Sequence, residues 1–161
     1  MAKRQGVIVG ACGEHYVASY LSGMGLVVAL TRMGSPATDL FVTAEAGGRA
    51  VTLQVKAGGL HSHVMYKRKP ERDYWVWRTG KKAIDGAKES HWYAFVFVGD
   101  WPQRKGSPNP EVFFVPSKIV ARTLRKPKNQ RDWFWMYDRE IEEYRGLAGY
   151  KKLKKALHLA R

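Results

Sequence analysis

A chain of 161 residues and 18.3 kDa has room for one domain with a substantial core and is short for two. It is 45% hydrophobic and 26% charged, the composition of a globular protein, and 28 Lys and Arg against 14 Asp and Glu leave a net charge of +14. Six Trp, eight Tyr and six Phe exclude a disordered polymer, and the single Cys12 excludes an intramolecular disulfide and a Cys-based zinc site.

Residues 7–24 read as a helix, with Val9, Tyr16, Val17, Tyr20, Leu21 and Met24 on one arc and His15, Ser19 and Ser22 opposite. Gly23 and Gly25 can end it. The β-branched run 26–31 predicts a strand, 33–36 a loop, and 39–45 with 49–56 a hairpin about Gly47-Gly48. The polar, basic stretch 58–72 reads as loop, 74–77 as a strand and 79–89 as a helix, although Gly80 and Gly86 weaken the helical pattern. Residues 92–98 are the most apolar segment and predict a central strand buried on both faces. A loop over 100–110, a strand over 111–115 and a helix from Pro116-Ser117 to about Lys126 follow. Residues 132–137 read as an aromatic packing patch, and 139–159 as a helical tail broken near Gly146–Gly149. Its Leu147, Tyr150, Leu153 and Leu157 repeat at helical spacing, which predicts a helix docked on the core with a basic outer face.

No apolar run reaches the ~18 residues that a membrane span needs. Residues 6–13 are too short for a secretory signal and run into Glu14. With one cysteine, these features point to a reducing compartment, the cytoplasm, and to no membrane partner.

The charge is lopsided. Residues 1–66 carry five basic and three acidic groups, and residues 67–161 carry 23 and 11, so the net charges are +2 and +12. Lys67, Arg68, Lys69 and Arg72, then Arg78, Lys81 and Lys82, form the first clusters, with others at 122–131 and 151–155. Such a surplus favours a polyanion, because neutralising phosphates releases condensed counterions. Tyr66, Tyr74, Trp75, Trp77, Trp133 and Trp135 interleave with these clusters as candidate stacking groups. Charge alone does not separate DNA from RNA.

A two-residue turn at Gly47-Gly48 would set Asp39 opposite Lys56 and Phe41 opposite Gln54. Asp39, Gln54 and Lys56 then share one face of the hairpin, while Leu40, Val42, Val51, Leu53 and Val55 share the other. Glu14 falls about 20° from Leu21 on the helical wheel, at the margin of the apolar arc. Carboxylates near a sheet face need a partner, and a hard divalent cation with oxygen ligands is one such partner. Lys56 is placed to hold a water or to stabilise charge on a phosphoryl group. An ordinary cross-strand ion pair of Asp39 with Lys56, and an exposed Glu14, would explain the same residues singly.

Taken in order, the helix with Glu14, the segment 35–42 ending in Asp39-Leu40-Phe41-Val42, the hairpin, and Val51-Thr52-Leu53-Gln54-Val55-Lys56 resemble the PD-(D/E)XK nuclease superfamily, the restriction-endonuclease-like fold that includes Holliday junction resolvases. The resemblance covers about residues 7–126. It implies an α/β fold with a central mixed sheet of four to five strands flanked by helices, in the order αβββαβ followed by βα and C-terminal helices. The whole of 1–161 is then one nuclease-like domain with a C-terminal helical extension over about 132–161. It also implies metal-dependent hydrolysis of DNA phosphodiesters. Asp39, Gln54, Glu14 and the Val55 carbonyl would bind Mg2+ or Mn2+, and Lys56 would assist the attacking water. Gln54 stands where the family usually has Asp or Glu, so the alternative is an inactive nucleic-acid-binding protein on the same fold. Nucleases of this type often act as homodimers, but nothing in the sequence marks an interface.

Other motifs carry less. Gly80-Lys81-Lys82 lacks the spacing of a phosphate-binding loop, Gly10-Ala11-Cys12-Gly13 follows no strand, and His61-Ser62-His63 has no third ligand nearby.

Overall fold

The computed structural model describes residues 2–31, 37–65, 67, 69–99, 109–126 and 132–158. Helix α1 spans Ala2–Gly23 and is followed by strands β1 (Leu26–Leu30), β2 (Leu40–Ala44) and β3 (Val51–Gly58). A two-residue strand β4 (His63–Val64) and β5 (Tyr74–Arg78) come before β6 (His91–Phe97) and β7 (Glu111–Pro116). Helix α2 (Ser117–Leu124), strand β8 (Trp133–Tyr137), a short α3 (Asp138–Ile141) and α4 (Gly146–His158) complete the chain.

The main sheet is mixed, in the order β1-β2-β3-β6-β7. Only β3 and β6 run parallel, and their register sets Gln54 beside Tyr93 and Lys56 beside Phe95. A second, antiparallel sheet has the order β4-β5-β8. Alternation along the strands separates two cores. Val17 and Leu21 of α1 and Tyr150, Leu153 and Leu157 of α4 pack on the face formed by Leu40, Leu53, Val55, Ala94 and Phe114. Trp75, Trp77, Phe134 and Met136 of the second sheet, with Val120 and Leu124 of α2, cover Tyr93, Phe95, Phe113 and Val115 on the opposite face. The molecule thus has three layers: α1 and α4, the main sheet, then the small sheet with α2. Among the described residues no helix is long and apolar enough to cross a membrane.

Four expectations change. First, β2 and β3 pair as Leu40↔Leu53, Phe41↔Thr52 and Val42↔Val51, two residues away from the expected register. The Gly47 N–H bonds to Ala44 O at 3.0 Å, so the chain reverses upstream of the glycines. Gly47 and Gly48, at φ 77° and 107°, then return it into β3. A two-residue slip keeps side-chain parity, and the ladder ends at Leu40↔Leu53, so Asp39 lies just beyond it, bonded to Leu53 O and not opposite Lys56.

Second, 79–89 is not an α-helix. Thr79 and Gly80 both donate to Asp132 O, at 2.9 and 3.2 Å, and only a single 3-10 turn forms at Lys81–Ala83. The expected order αβββαβ therefore changes: among the described residues the β3–β6 connection holds β4, β5 and 3-10 turns in place of a helix. Third, β4 and two 3-10 turns lie within 58–72, which reads as loop from sequence. Fourth, the patch 132–137 is the strand β8, paired along its length with β5. The tail behaves as expected, with its break at Arg145 and Gly146 (φ 47°) and Lys151, Lys152, Lys154 and Lys155 outward; Leu147 is exposed and does not join the apolar face. The residues 33–36 and 100–108 of the expected loops lie outside the described residues.

Candidate active site

The pairing of β2 with β3 ends at Leu40, and the side chain of Asp39 takes over where the ladder stops. Its backbone N–H donates to Leu53 O at 2.8 Å, and its Oδ2 accepts the Val55 N–H at 2.7 Å. The carboxylate thus satisfies a strand amide that would otherwise lack a partner. Thr31 anchors the same turn from β1, with its N–H on Asp39 O at 2.9 Å and its Oγ1 donating to Thr38 O at 2.7 Å. Two residues before Asp39, Ala37 holds φ 68°, the only positive φ outside glycine among the described residues. Strain of this kind persists where the surroundings over-determine it.

On β3, Leu53 and Val55 point into the helix-covered core, so Gln54 and Lys56 project from the other face beside Asp39. The Thr52 N–H bonds to Ser90 O and Gly58 O accepts from Val98, so the peptide groups of even-numbered residues face β6. Those of Val55 face the opposite edge, beyond the point where pairing with β2 ends.

Helix α1 lies on the opposite face from Gln54 and Lys56. It approaches β3 most closely at Gly13, where an added Cβ would lie 2.5 Å from Ala57 Cβ. That contact brings Glu14, half-buried, to the end of the strand. Burial first, and then the charge of Asp39, lifts the Glu14 pKa above its usual range, against the opposing pull of His15 and Lys56. Burial lifts Asp39 as well, outweighing the Val55 amide and the Lys56 ammonium. Lys56 is lowered by burial despite Asp39 and Glu14. The two carboxyl groups and the ammonium therefore share one electrostatic field, and Lys56 shares its face of β3 with Gln54.

A cleft of about 430 Å³ adjoins Gln54, bounded by Gly80, Lys81, Lys82, His91 and Tyr93. Lys81 and Lys82, expected only as part of a basic cluster, line this cleft with Gln54. His91 and Tyr93 are functional candidates that sequence reasoning missed. An unbroken apolar run assigns no side chain to a face, and only pairing with β3 shows that Tyr93 lies beside Gln54. Burial and the Asp39 charge push the Tyr93 hydroxyl up to about 12. His91 Nδ1 lies 2.8 Å from Thr52 Oγ1, and burial, then Lys88, lowers its pKa.

The remaining basic candidates scatter. Arg78 is exposed and pairs with Asp132 at 3.4 Å; Lys67, Lys69 and Arg72 are exposed between β4 and β5; Arg68 and Tyr66 lie outside the described residues. Trp75 and Trp77 are 2% exposed and stack on each other with ring centroids 5.7 Å apart, so they belong to the core and cannot stack on bases. His63 stacks on Trp75 and bonds Asp138 at 3.1 Å, a structural use of the His61-Ser62-His63 segment.

Among the described residues no three or more His, Cys, Asp or Glu side chains group to hold a metal ion. The oxygen donors at this site are instead mixed: two carboxylates, one carboxamide and one carbonyl. Asp39 Oδ1 has no hydrogen-bond partner among the described residues. Two carboxyl groups held above their usual pKa by burial and, for Glu14, by its neighbour's charge fit a hard divalent cation, which removes that repulsion.

No protein-family model matches the chain, and no curated protein matches it. A solved structure does: the bacterial homing endonuclease I-Ssp6803I superposes with a TM-score of 0.54, covering 92% of this chain and 91% of that one, at 12% identity. At that identity the likeness is one of fold, and this α/β chain, with its five-stranded mixed sheet flanked by helices, has the fold of that endonuclease.

Proposed function

We propose that this protein is a PD-(D/E)XK-type endonuclease that hydrolyses DNA phosphodiester bonds with Mg2+ or Mn2+ in the cytoplasm. The observation that carries the reading is the Asp39 carboxylate fixed by the Val55 amide within the field of Lys56 on the same strand. The fold shared with a homing endonuclease supports it. Asp39, Glu14, Gln54 Oε1 and the Val55 carbonyl would hold the ion. When bound, the ion supplies Lewis-acid polarisation of the phosphoryl group and lowers the pKa of a water.

Hydrolysis joins a water oxygen to phosphorus and breaks one ester P–O bond, leaving a phosphate end and a hydroxyl end. Lys56 orients that water and donates N–H to the oxygens on which negative charge grows. Its partial burial makes this donor effective, because charge acts more strongly away from solvent. Lys81 and Lys82 hold neighbouring phosphates, and the +14 net charge draws DNA to the surface.

One observation favours a second reading, a nucleic-acid-binding protein without catalysis: Gln54 leaves only two carboxylates at the site. Cleavage assays on linear, nicked, single-stranded and four-way-junction DNA, with Mg2+, Mn2+ or chelator, separate the two. Metal-dependent cutting that Asp39→Ala lacks supports the nuclease. Binding to every substrate without cutting supports the second reading.

A further inference from the structure

The cleft beside Gln54 has a lining that hydrolysis at Asp39 does not require. We propose that it is a nucleotide subsite, taking the base and sugar attached to the scissile phosphate, unstacked from their neighbours, with Lys81 and Lys82 on the adjoining phosphate. The inference rests on Asp39 and Lys56 marking the scissile phosphate.

Gln54 and Ala37, two residues before Asp39, both line the cleft, and the Asp39 charge reaches Tyr93 in its wall, so a phosphate at Asp39 would adjoin the cleft. The volume of about 430 Å³ falls within the roughly 300–1,000 Å³ typical of pockets for small organic ligands. Tyr93 is 3% exposed, yet its hydroxyl has no hydrogen-bond partner among the described residues. Among the described residues the sealed, unpaired side-chain atoms are Thr43 Oγ1 and Trp92 Nε1, so the Tyr93 oxygen is not closed in the core but opens on the cleft that this residue lines, where a ligand can bond it.

His91 is 8% exposed, with Nδ1 engaged by Thr52. Its ring meets that of Tyr93 edge-on, 5.3 Å between centroids. Gly80, Ala83 and Gly86 also line the cleft, and their lack of bulk leaves room for a flat ligand. A flat ring with hydrogen-bonding edges suits this lining, and an attached phosphate suits its two lysines. Inorganic phosphate alone would use only the rim, and an apolar ligand would leave the lysines and the Tyr93 hydroxyl unused.

The test is binding of deoxynucleoside 5′-monophosphates to the full-length chain in chelator, followed by heteronuclear NMR against inorganic phosphate and deoxyribose 5-phosphate. At least one nucleotide is expected to bind about tenfold more tightly than either control, since base stacking and hydrogen bonding add to phosphate contact. Amide shifts should centre on 79–83 and 91–93. Tyr93→Phe should weaken the nucleotide by about three- to tenfold and leave inorganic phosphate unchanged. Ala83→Leu should fill the cleft; if that variant misfolds, Tyr93→Phe still decides. Equal binding of nucleotide and phosphate, shifts elsewhere, or an unaffected Tyr93→Phe overturns the subsite. Chelator keeps this result separate from cleavage: base-dependent binding by a protein that cuts no DNA retains the subsite and overturns the nuclease, and cutting with base-independent binding does the reverse.

Discussion

Val55 donates its backbone N–H to Asp39 Oδ2 at 2.7 Å, so the strand that carries Lys56 also orients the carboxylate facing it. Removing that carboxylate and neutralising it should therefore have different effects. Asp39→Ala should abolish cleavage and leave DNA affinity within about threefold, since the basic surface supplies affinity. Parallel losses of binding and cutting would contradict that division.

Asp39→Asn keeps an acceptor for Val55 and removes the charge. Burial raises the folded pKa of Asp39 above its unfolded value of about 3.9, so the folded chain holds that proton more tightly. The group's contribution to stability is complete below the unfolded pKa and is lost as pH rises through the folded pKa, which leaves a penalty at pH 7. The metal-free Asn variant should melt higher than the wild type at pH 7. Mg2+ at a hundred times its Kd should stabilise the wild type by about 2.7 kcal/mol and the variant hardly at all. Calorimetry with and without chelator reads both.

Lys56→Met should lower the cleavage rate by about 10²–10³-fold without loss of stability. Burial depresses the folded pKa of Lys56, so the protonated amine penalises folding below that value, and the penalty is relieved as pH rises from it toward about 10.4. A Met variant that melts well below the wild type at pH 7 would show Lys56 to be an ion-pair strut instead.

Gln54→Glu adds a third carboxylate. The Mg2+ concentration for half-maximal cleavage should fall roughly tenfold, because ligand charge sets affinity for hard cations. The same change should lower the melting temperature in chelator by adding repulsion at Asp39 and Glu14. Metal titrations of activity and melting measured side by side test the pair of effects.

Gly13→Ala places a methyl group 2.5 Å from Ala57 Cβ and must push α1 away from β3. Overpacking of this kind costs about 1–3 kcal/mol. Because Glu14 follows immediately, metal affinity should drop as well. Ala57→Gly in the same chain should restore both, and failure of that rescue would place the damage elsewhere.

Binding of duplex DNA should weaken steeply with salt, and Lys81→Ala and Lys82→Ala should each reduce the slope of log K against log salt by about one. A flat response would contradict phosphate contact at the cleft rim.

The face of β3 that carries Gln54 and Lys56 is legible in the sequence because strand alternation survives a register slip of two. The register itself is not, since Gly47-Gly48 marks where positive φ is needed and not where the turn closes. The helix expected over 79–89 gave way to tertiary bonds from Thr79 and Gly80 to Asp132, which local propensity cannot register. Strand β4 has only two residues and takes its definition from β5, and β8 takes its from the same distant partner. His91 and Tyr93 escaped notice for a related reason. In a run without alternation, the neighbouring strand alone decides which side chains look outward.

The two bonds from Thr79 and Gly80 to Asp132 bear on the order in which the molecule matures. They close a span of 53 residues, and β5 can enter its sheet fully only when β8 arrives beside it. Long-range pairing of this kind pays its loop entropy before any contact rewards it. A chain still emerging from the ribosome can pair β2 with β3 early, yet the wall that holds Lys81 and Lys82 stays unanchored until Asp132 and β8 have been made. The nascent protein would thus carry Asp39, Gln54 and Lys56 before it has the enclosure around them.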